Sequence, residues 1–176
     1  MALTPLSDAL ERILSDVEAT LDCETVALEA ASGRYCATTI NATLLVPPAD
    51  NSAMDGYAVA SHNVPGTLAI SQRVPAGHAP LPLEAGTAAR IFTGAEIPAG
   101  ADTVILQEDA EAGEGQVSLP AAQPGQHIRR QGNDIQPGDE LVAAGQRLTP
   151  QDIGLLASVG LDAVPVFQSL SVVVLT

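Results

Sequence analysis

Between Pro47 and about Arg130 the chain carries no helical period. It breaks instead into short apolar runs: 56–60, 68–74, 87–92, 103–107 and 116–119. Pro, Gly and Asp punctuate them. Regular short strands with turn residues between them rule out a helical bundle over half the chain and predict a compact β barrel or sandwich. On both sides the pattern changes back to mixed helix and strand, so the β-rich stretch reads as an insertion. The expected architecture is α+β: an outer element built from residues 1–46 and 132–168, with residues 47–131 inserted into it.

The outer element opens with apolar residues at Leu6, Ala9, Leu10, Ile13, Leu14 and Val17. Their spacing predicts an amphipathic helix, with Thr4-Pro5 as cap and first-turn proline. A shorter helix is expected over 26–31, ended by Gly33 in the left-handed region. A strand rich in Thr, Ile and Val follows over 35–45. After Gly132, strands are expected at 140–142 and 147–148. Thr149-Pro150-Gln151-Asp152 then supplies a cap, a proline at the first helical position and an acid at the third, a helix start that Gly160 stops. Residues 163–167 read as a strand, and the closing SLSVVVLT is a β-branched run of the kind that opens a parallel sheet.

Composition narrows the functions. Of 176 residues 46% are hydrophobic but only 2% aromatic, with no Trp, so the core is built from Val, Leu, Ile and Ala. Stacking platforms for nucleic acid are absent. Seven basic against 21 acidic residues give a formal charge of −14, which opposes binding to nucleic acid or an anionic membrane. A polyanionic ligand therefore needs a local basic pocket. Cys23 and Cys36 form neither a CxxC pair nor a zinc pattern and are expected to be reduced. Residues 1–20 lack the features of a signal peptide and no run is long enough to span a membrane, so the cytoplasm is the expected compartment.

The stretch VPPADNSAMDGYAV, from Val46 to Val59, leads a rigid Pro-Pro entry into a dense polar turn and then an apolar strand. Asp50, Asn51, Ser52, Asp55 and Gly56 are residues that bond their own backbone or reach positive φ, which predicts an ordered loop. DNSAMDGYAV, with RIFTGAEIP from Arg90 and IRRQGNDI from Ile128, resembles the molybdopterin molybdenumtransferase family. The resemblance covers the whole chain. Its departures are Ala49, where an aromatic residue is expected before Asp50, and Asn133, where an acid is often found. It implies an enzyme of molybdenum cofactor biosynthesis that inserts molybdate into adenylated molybdopterin with Mg²⁺ and releases AMP. It also implies a dimer, and it makes residues 169–176 the first strand of an α/β domain that binds the pterin. On that reading the chain is the N-terminal part of the enzyme and inactive alone. The alternative is a non-catalytic dimerisation or interaction module, with a molybdopterin adenylyltransferase as a possible partner.

By residue type alone, Asp55 is an Asx-turn acid. The resemblance makes it a catalytic residue and a candidate Mg²⁺ ligand, since one carboxylate with phosphate oxygens and waters suits that ion. Thr93, before Gly94, either caps a turn or cradles an oxyanion, and the resemblance implies the second. Arg129 and Arg130 are a local basic spot on an acidic chain, suited to phosphate or carboxylate, or else an ion-paired couple. Alternation along a strand lets at most one face a ligand. By resemblance Arg129 is a substrate contact and Asp134 a catalytic acid. Ser52 and Arg130 join the substrate-binding set, while by residue type Asp50, Asn51 and Ser52 itself shape the loop. Glu108 and Asp109 read as solvated acids, and His62, His78 and His127 are too scattered for a metal triad.

Overall fold

A computed structural model describes residues 4–15, 21–171, 173 and 174. In chain order the first elements are α1 (Leu6–Ser15), β1 (Cys23–Ala27), α2 (Leu28–Ala31), β2 (Ile40–Asn41), β3 (Asn51–Ser52), β4 (Gly56–Val59), β5 (Gly66–Val74) and β6 (Thr87–Ile91). There follow β7 (Thr103–Leu106), β8 (Glu111–Ala112), β9 (Gln116–Leu119), β10 (Ile128–Arg129), β11 (Glu140–Val142), α3 (Pro150–Ser158) and β12 (Ala163–Phe167). The fold is α+β, as expected. It divides into an outer unit, residues 1–41 and 140–176, and a β-rich unit, residues 42–139. Residues 42–46 and 132–139 thus go with the β-rich unit, because Val46 bridges Ile135 and the Ala42 N–H donates to the Asp139 carbonyl at 2.8 Å.

In the outer unit β1 pairs antiparallel with β12 from Cys23↔Phe167 to Ala27↔Ala163, and β2 pairs with β11. That register explains why the short helix starts at Leu28: Val26 lies opposite Val164, and the strand takes its backbone first. The strand expected over 35–45 reduces to Ile40–Asn41 with single bridges Tyr35↔Arg147 and Cys36↔Val166, because successive residues there bond different partners. The pair 147–148 contributes only the Arg147 bridge. Leu28, Ala31, Cys36, Val142, Leu148, Leu156, Val164 and Val166 close a core between these pieces. α3 begins with a reciprocal cap, in which the Thr149 hydroxyl accepts from the Asp152 N–H and the Asp152 carboxylate accepts from the Thr149 N–H. Gly160, at φ +82°, follows its last turn. Cys23 and Cys36 are free, and burial pushes the Cys36 thiol up.

Val17 lies outside the described residues. So do Val172 and Leu175 of the terminal run, in which Val173 and Val174 are exposed and unpaired with any strand. No described helix is long and apolar enough to cross a membrane.

The β-rich unit holds a six-stranded sheet in the order β7-β4-β6-β5-β9-β8, antiparallel except for β5 beside β6. All of β4 is buried. Tyr57 and Val59 join Ala88, Ile105, Val117 and Leu119 on one face, and Ala58 joins Val74, Ala89, Ile91 and Val104 on the other. A strand buried on both faces reads as a continuous apolar run, as GYAV does. Gly56 lets β7 approach: a Cβ there would stand 2.0 Å from the Ile105 carbonyl oxygen. β3 and β10 form a separate small pair, Ile128↔Ser52 and Arg129↔Asn51, so the stretch at 51–52 that sequence patterning left as loop carries a short strand.

Candidate functional site

The start of β4 and the ends of β5, β6 and β7 meet at one end of the six-stranded sheet, where Gly56 lies opposite both Ile91 and Leu106. Side chains alternate faces along a strand, so residues 55 and 57 share a face. Arg90 is the partner of Tyr57, and Arg73 is the partner of Arg90 in the parallel β5–β6 ladder. Asp55, Arg90, Phe92 and Arg73 consequently fall together at this end. The polar turn therefore sits at the tip of a rigid sheet.

Asp55 is the centre of this row. Its Oδ1 accepts two bonds from one residue, from the Thr93 N–H at 2.8 Å and the Thr93 hydroxyl at 2.7 Å. Gly94 makes the sharp turn after Thr93 with φ +80°, a left-handed conformation natural to glycine, and its N–H donates to the Ser52 carbonyl at 2.8 Å. The backbone and side-chain bonds from Thr93, then the nearby Arg90 charge, hold the Asp55 carboxyl below its ordinary range. It is ionised at neutral pH. Oδ2 accepts no hydrogen bond from any described residue and is left to solvent or ligand.

Arg90 is braced rather than free. Its Nη1 donates to the carbonyls of Gly56 at 2.8 Å and Ile91 at 2.9 Å, and its Nη2 donates to the Gln107 side-chain oxygen. Its guanidinium carbon lies 4.5 Å from the Phe92 ring centre and 5.3 Å from that of Tyr57. Arg73 stacks on the same Phe92 at 4.6 Å. Sequence reading passed over Arg73, Arg90, Phe92 and Gln107 as site residues. For Arg90 and Phe92 the signal was the period-two spacing in RIFT; for Arg73 there was none without the ladder.

The remaining candidates form two ion pairs near β10. Arg130 donates to Asp50 Oδ2 at 2.6 Å, while Asp50 Oδ1 accepts the Gln131 N–H at 2.8 Å. The Gln131 N–H, followed by Arg130, keeps the Asp50 carboxyl below its ordinary range. Arg129 pairs with Asp134, and the Asn133 amide donates to Asp134 Oδ1 at 3.2 Å. Both arginines are more than half exposed. The structure thus brings Asp55 to Thr93, Arg129 to Asp134 and Arg130 to Asp50, and no hydrogen bond or ion pair joins Asp55 to either arginine. Ser52 is 2% exposed and its hydroxyl donates to the Met54 carbonyl at 2.6 Å. It frames the turn that precedes Asp55, the loop-shaping role, with its hydroxyl committed to backbone.

No group of three or more His, Cys, Asp or Glu side chains stands together among the described residues. A protein-only cage for a divalent cation is therefore not formed by them. A single outward carboxylate oxygen on Asp55 fits Mg²⁺, which keeps several waters and takes further oxygens from substrate phosphates.

Residues 4–160 match the family described as "MoeA N-terminal region (domain I and II)". The chain is 40% identical over 178 residues to the molybdopterin molybdenumtransferase of Synechococcus elongatus, covering 94% of this chain and 44% of that protein. To its namesake from Haemophilus influenzae it is 38% identical, with 97% and 44% covered. Among solved structures, a molybdopterin biosynthesis MoeA protein from Pyrococcus horikoshii superposes with a TM-score of 0.86 at 34% identity, over 94% of this chain and 46% of that one. The chain spans less than half the length of these relatives. The match over residues 4–160 and these identities show that this chain belongs to the MoeA family, over that family's N-terminal region.

Proposed function

We propose that this chain supplies one wall of the active site of a molybdopterin molybdenumtransferase, which inserts molybdate into adenylated molybdopterin and releases AMP. The observation that supports it most directly is the Asp55 carboxylate, fixed on one oxygen by both donors of Thr93 and open on the other. Such a group is preorganised. Thr93 sets its rotamer and keeps it ionised, so it binds a cation or orients a water rather than donating a proton. Asp55 would hold Mg²⁺, which when bound neutralises charge on phosphoryl oxygens. Arg90 adds positive potential without leaving its carbonyl partners. Arg129 is held by an exposed ion pair with Asp134, of the kind worth about 0–1 kcal/mol, so a substrate phosphate competes for it at little cost. Asp134 then returns to solvent or to the reacting groups.

A second reading is supported by one feature of the outer unit. α1 exposes Leu6, Leu10, Ile13 and Leu14, an apolar stripe with no buried residue. An unpartnered stripe of this kind suits a protein contact, and a second copy of the chain is the partner proposed here. The acidic surface, −14 overall, suits a basic partner such as a molybdopterin adenylyltransferase. On this second reading the chain acts as a docking module without chemistry of its own.

Complementation separates the two. This chain is mixed with a full-length molybdenumtransferase carrying alanine at the position of Asp55, and molybdenum insertion is assayed in mixed dimers isolated by differential tags. Restored insertion supports the active-site reading. Mixed dimers that form and stay inactive overturn it in favour of docking alone.

A further inference from the structure

The β-rich unit has four arginines, and three of them are bonded within it. Arg90 is held by two carbonyls and Gln107, Arg129 by Asp134, and Arg130 by Asp50. Arg73 is the exception, with no hydrogen bond or carboxylate partner among the described residues. Yet its place is defined: it lies directly across the ladder from Arg90, and its guanidinium packs 4.6 Å from the centre of Phe92, whose ring also packs against Arg90 at 4.5 Å. Two like charges directly opposite each other in a sheet repel. Stacking on one aromatic ring offsets part of that repulsion and holds both cations at the sheet end. In a chain with 21 acids and only seven basic residues, an exposed arginine without an acidic partner beside a second arginine is the pattern of a site whose counter-ion is a ligand.

We infer that Arg73, positioned on Phe92 beside Arg90, is the anion-binding residue of the Asp55–Thr93 site and takes a tetrahedral oxyanion. A guanidinium presents its donors as a planar fork, and none of Arg73's five is engaged by a described residue, which leaves them to bond phosphate or molybdate oxygens. Arg90 contributes field, because its own donors are largely committed. Asp55 and Arg73 then divide the work: the carboxylate takes the cationic side of a ligand and the guanidinium its anionic side. This inference rests on the reading of the Asp55 row as a substrate site, and it concerns binding rather than turnover.

The test is a titration of this chain with three probes, inorganic phosphate, molybdate and AMP, followed through the Arg73 side-chain Nε–H and the Thr93 amide by NMR. At least one probe is expected to shift both signals saturably, with affinity falling about tenfold in Arg73→Ala, the loss of one charge-assisted bond pair. Arg73→Gln keeps a polar planar group near Phe92 and removes the charge; a similar loss in a variant of unchanged thermal midpoint assigns the effect to charge. Tighter binding of AMP than of phosphate assigns the subsite to an adenylated compound, and preference for molybdate assigns it to the metal oxyanion. Shifts that never saturate, or equal affinity in both Arg73 variants and the wild type, overturn the inference. Because no turnover is measured, saturable binding beside failed complementation would leave the subsite standing and remove only the proposed activity.

Discussion

Asp55 and Thr93 lie 38 positions apart, and nothing in their spacing says they touch. Their residue types were informative separately, an Asx-type acid before glycine and a hydroxyl before glycine. The bond between them depends on β4 and β6 pairing so that Gly56 meets Ile91. The carboxyl is held low by Thr93 first and Arg90 next, which gives a signed pH dependence. A depressed folded-state value adds stability above the unfolded value, and that stability is lost as pH falls through the folded one. The stability difference between wild type and Asp55→Asn is therefore expected at neutral pH and should shrink as pH drops below the ordinary aspartate range. Urea midpoints from neutral to strongly acidic pH read it directly, and a gap that stays constant down to the lowest pH would refute the ion's role in holding the turn. The arginines were half legible: a basic spot at 129–130 was visible, but each arginine there has a carboxylate, and the unpartnered one at position 73 was visible only through a parallel ladder with a bulge between Ile70 and Gln72.

Short strands in the β-rich unit were readable because each is apolar and bounded by turn residues, and β9 ends where the pattern placed it. The outer unit was harder. Val26 satisfies a helical and an extended pattern alike, and tertiary pairing with Val164 decides it. Very short pieces such as β3 and β10 have no periodic signal, being two residues each. Gly56 is the element-scale constraint on the site, since the strand at its back allows no side chain. Gly56→Ala is expected to lower stability by about 3 kcal/mol, the upper end for overpacking, because the obstacle is backbone and not a side chain that can turn aside. A denaturation midpoint within experimental error of the wild type would show that β4 and β7 separate freely. The same substitution should broaden the Thr93 amide signal, because Asp55 is anchored to that strand.

At the scale of the molecule, the charge balance argues against nucleic-acid readings before any fold is considered, and the mixed pattern at both chain ends implies an inserted unit. What composition could not supply is how α1 uses its exposed leucines, because an amphipathic stripe reads the same whether it covers its own core or another chain. If it meets a second copy, Leu10→Asp with Leu14→Asp is expected to convert a dimer to a monomer in sedimentation experiments without lowering the helix content beyond α1 itself. An unchanged sedimentation coefficient would remove α1 from any such contact. The insertion has a consequence of its own. Asn41 and Glu140 face each other as the last rung of the outer unit's β2–β11 ladder, and the next residues inward, Ala42 and Asp139, are hydrogen-bonded to each other. Within the outer unit the chain thus leaves at Asn41 and returns at Glu140 on neighbouring strands, as at the tip of a hairpin, so residues 42–139 can lengthen, shorten or change chemistry over evolutionary time while the β2–β11 ladder registers only a turn.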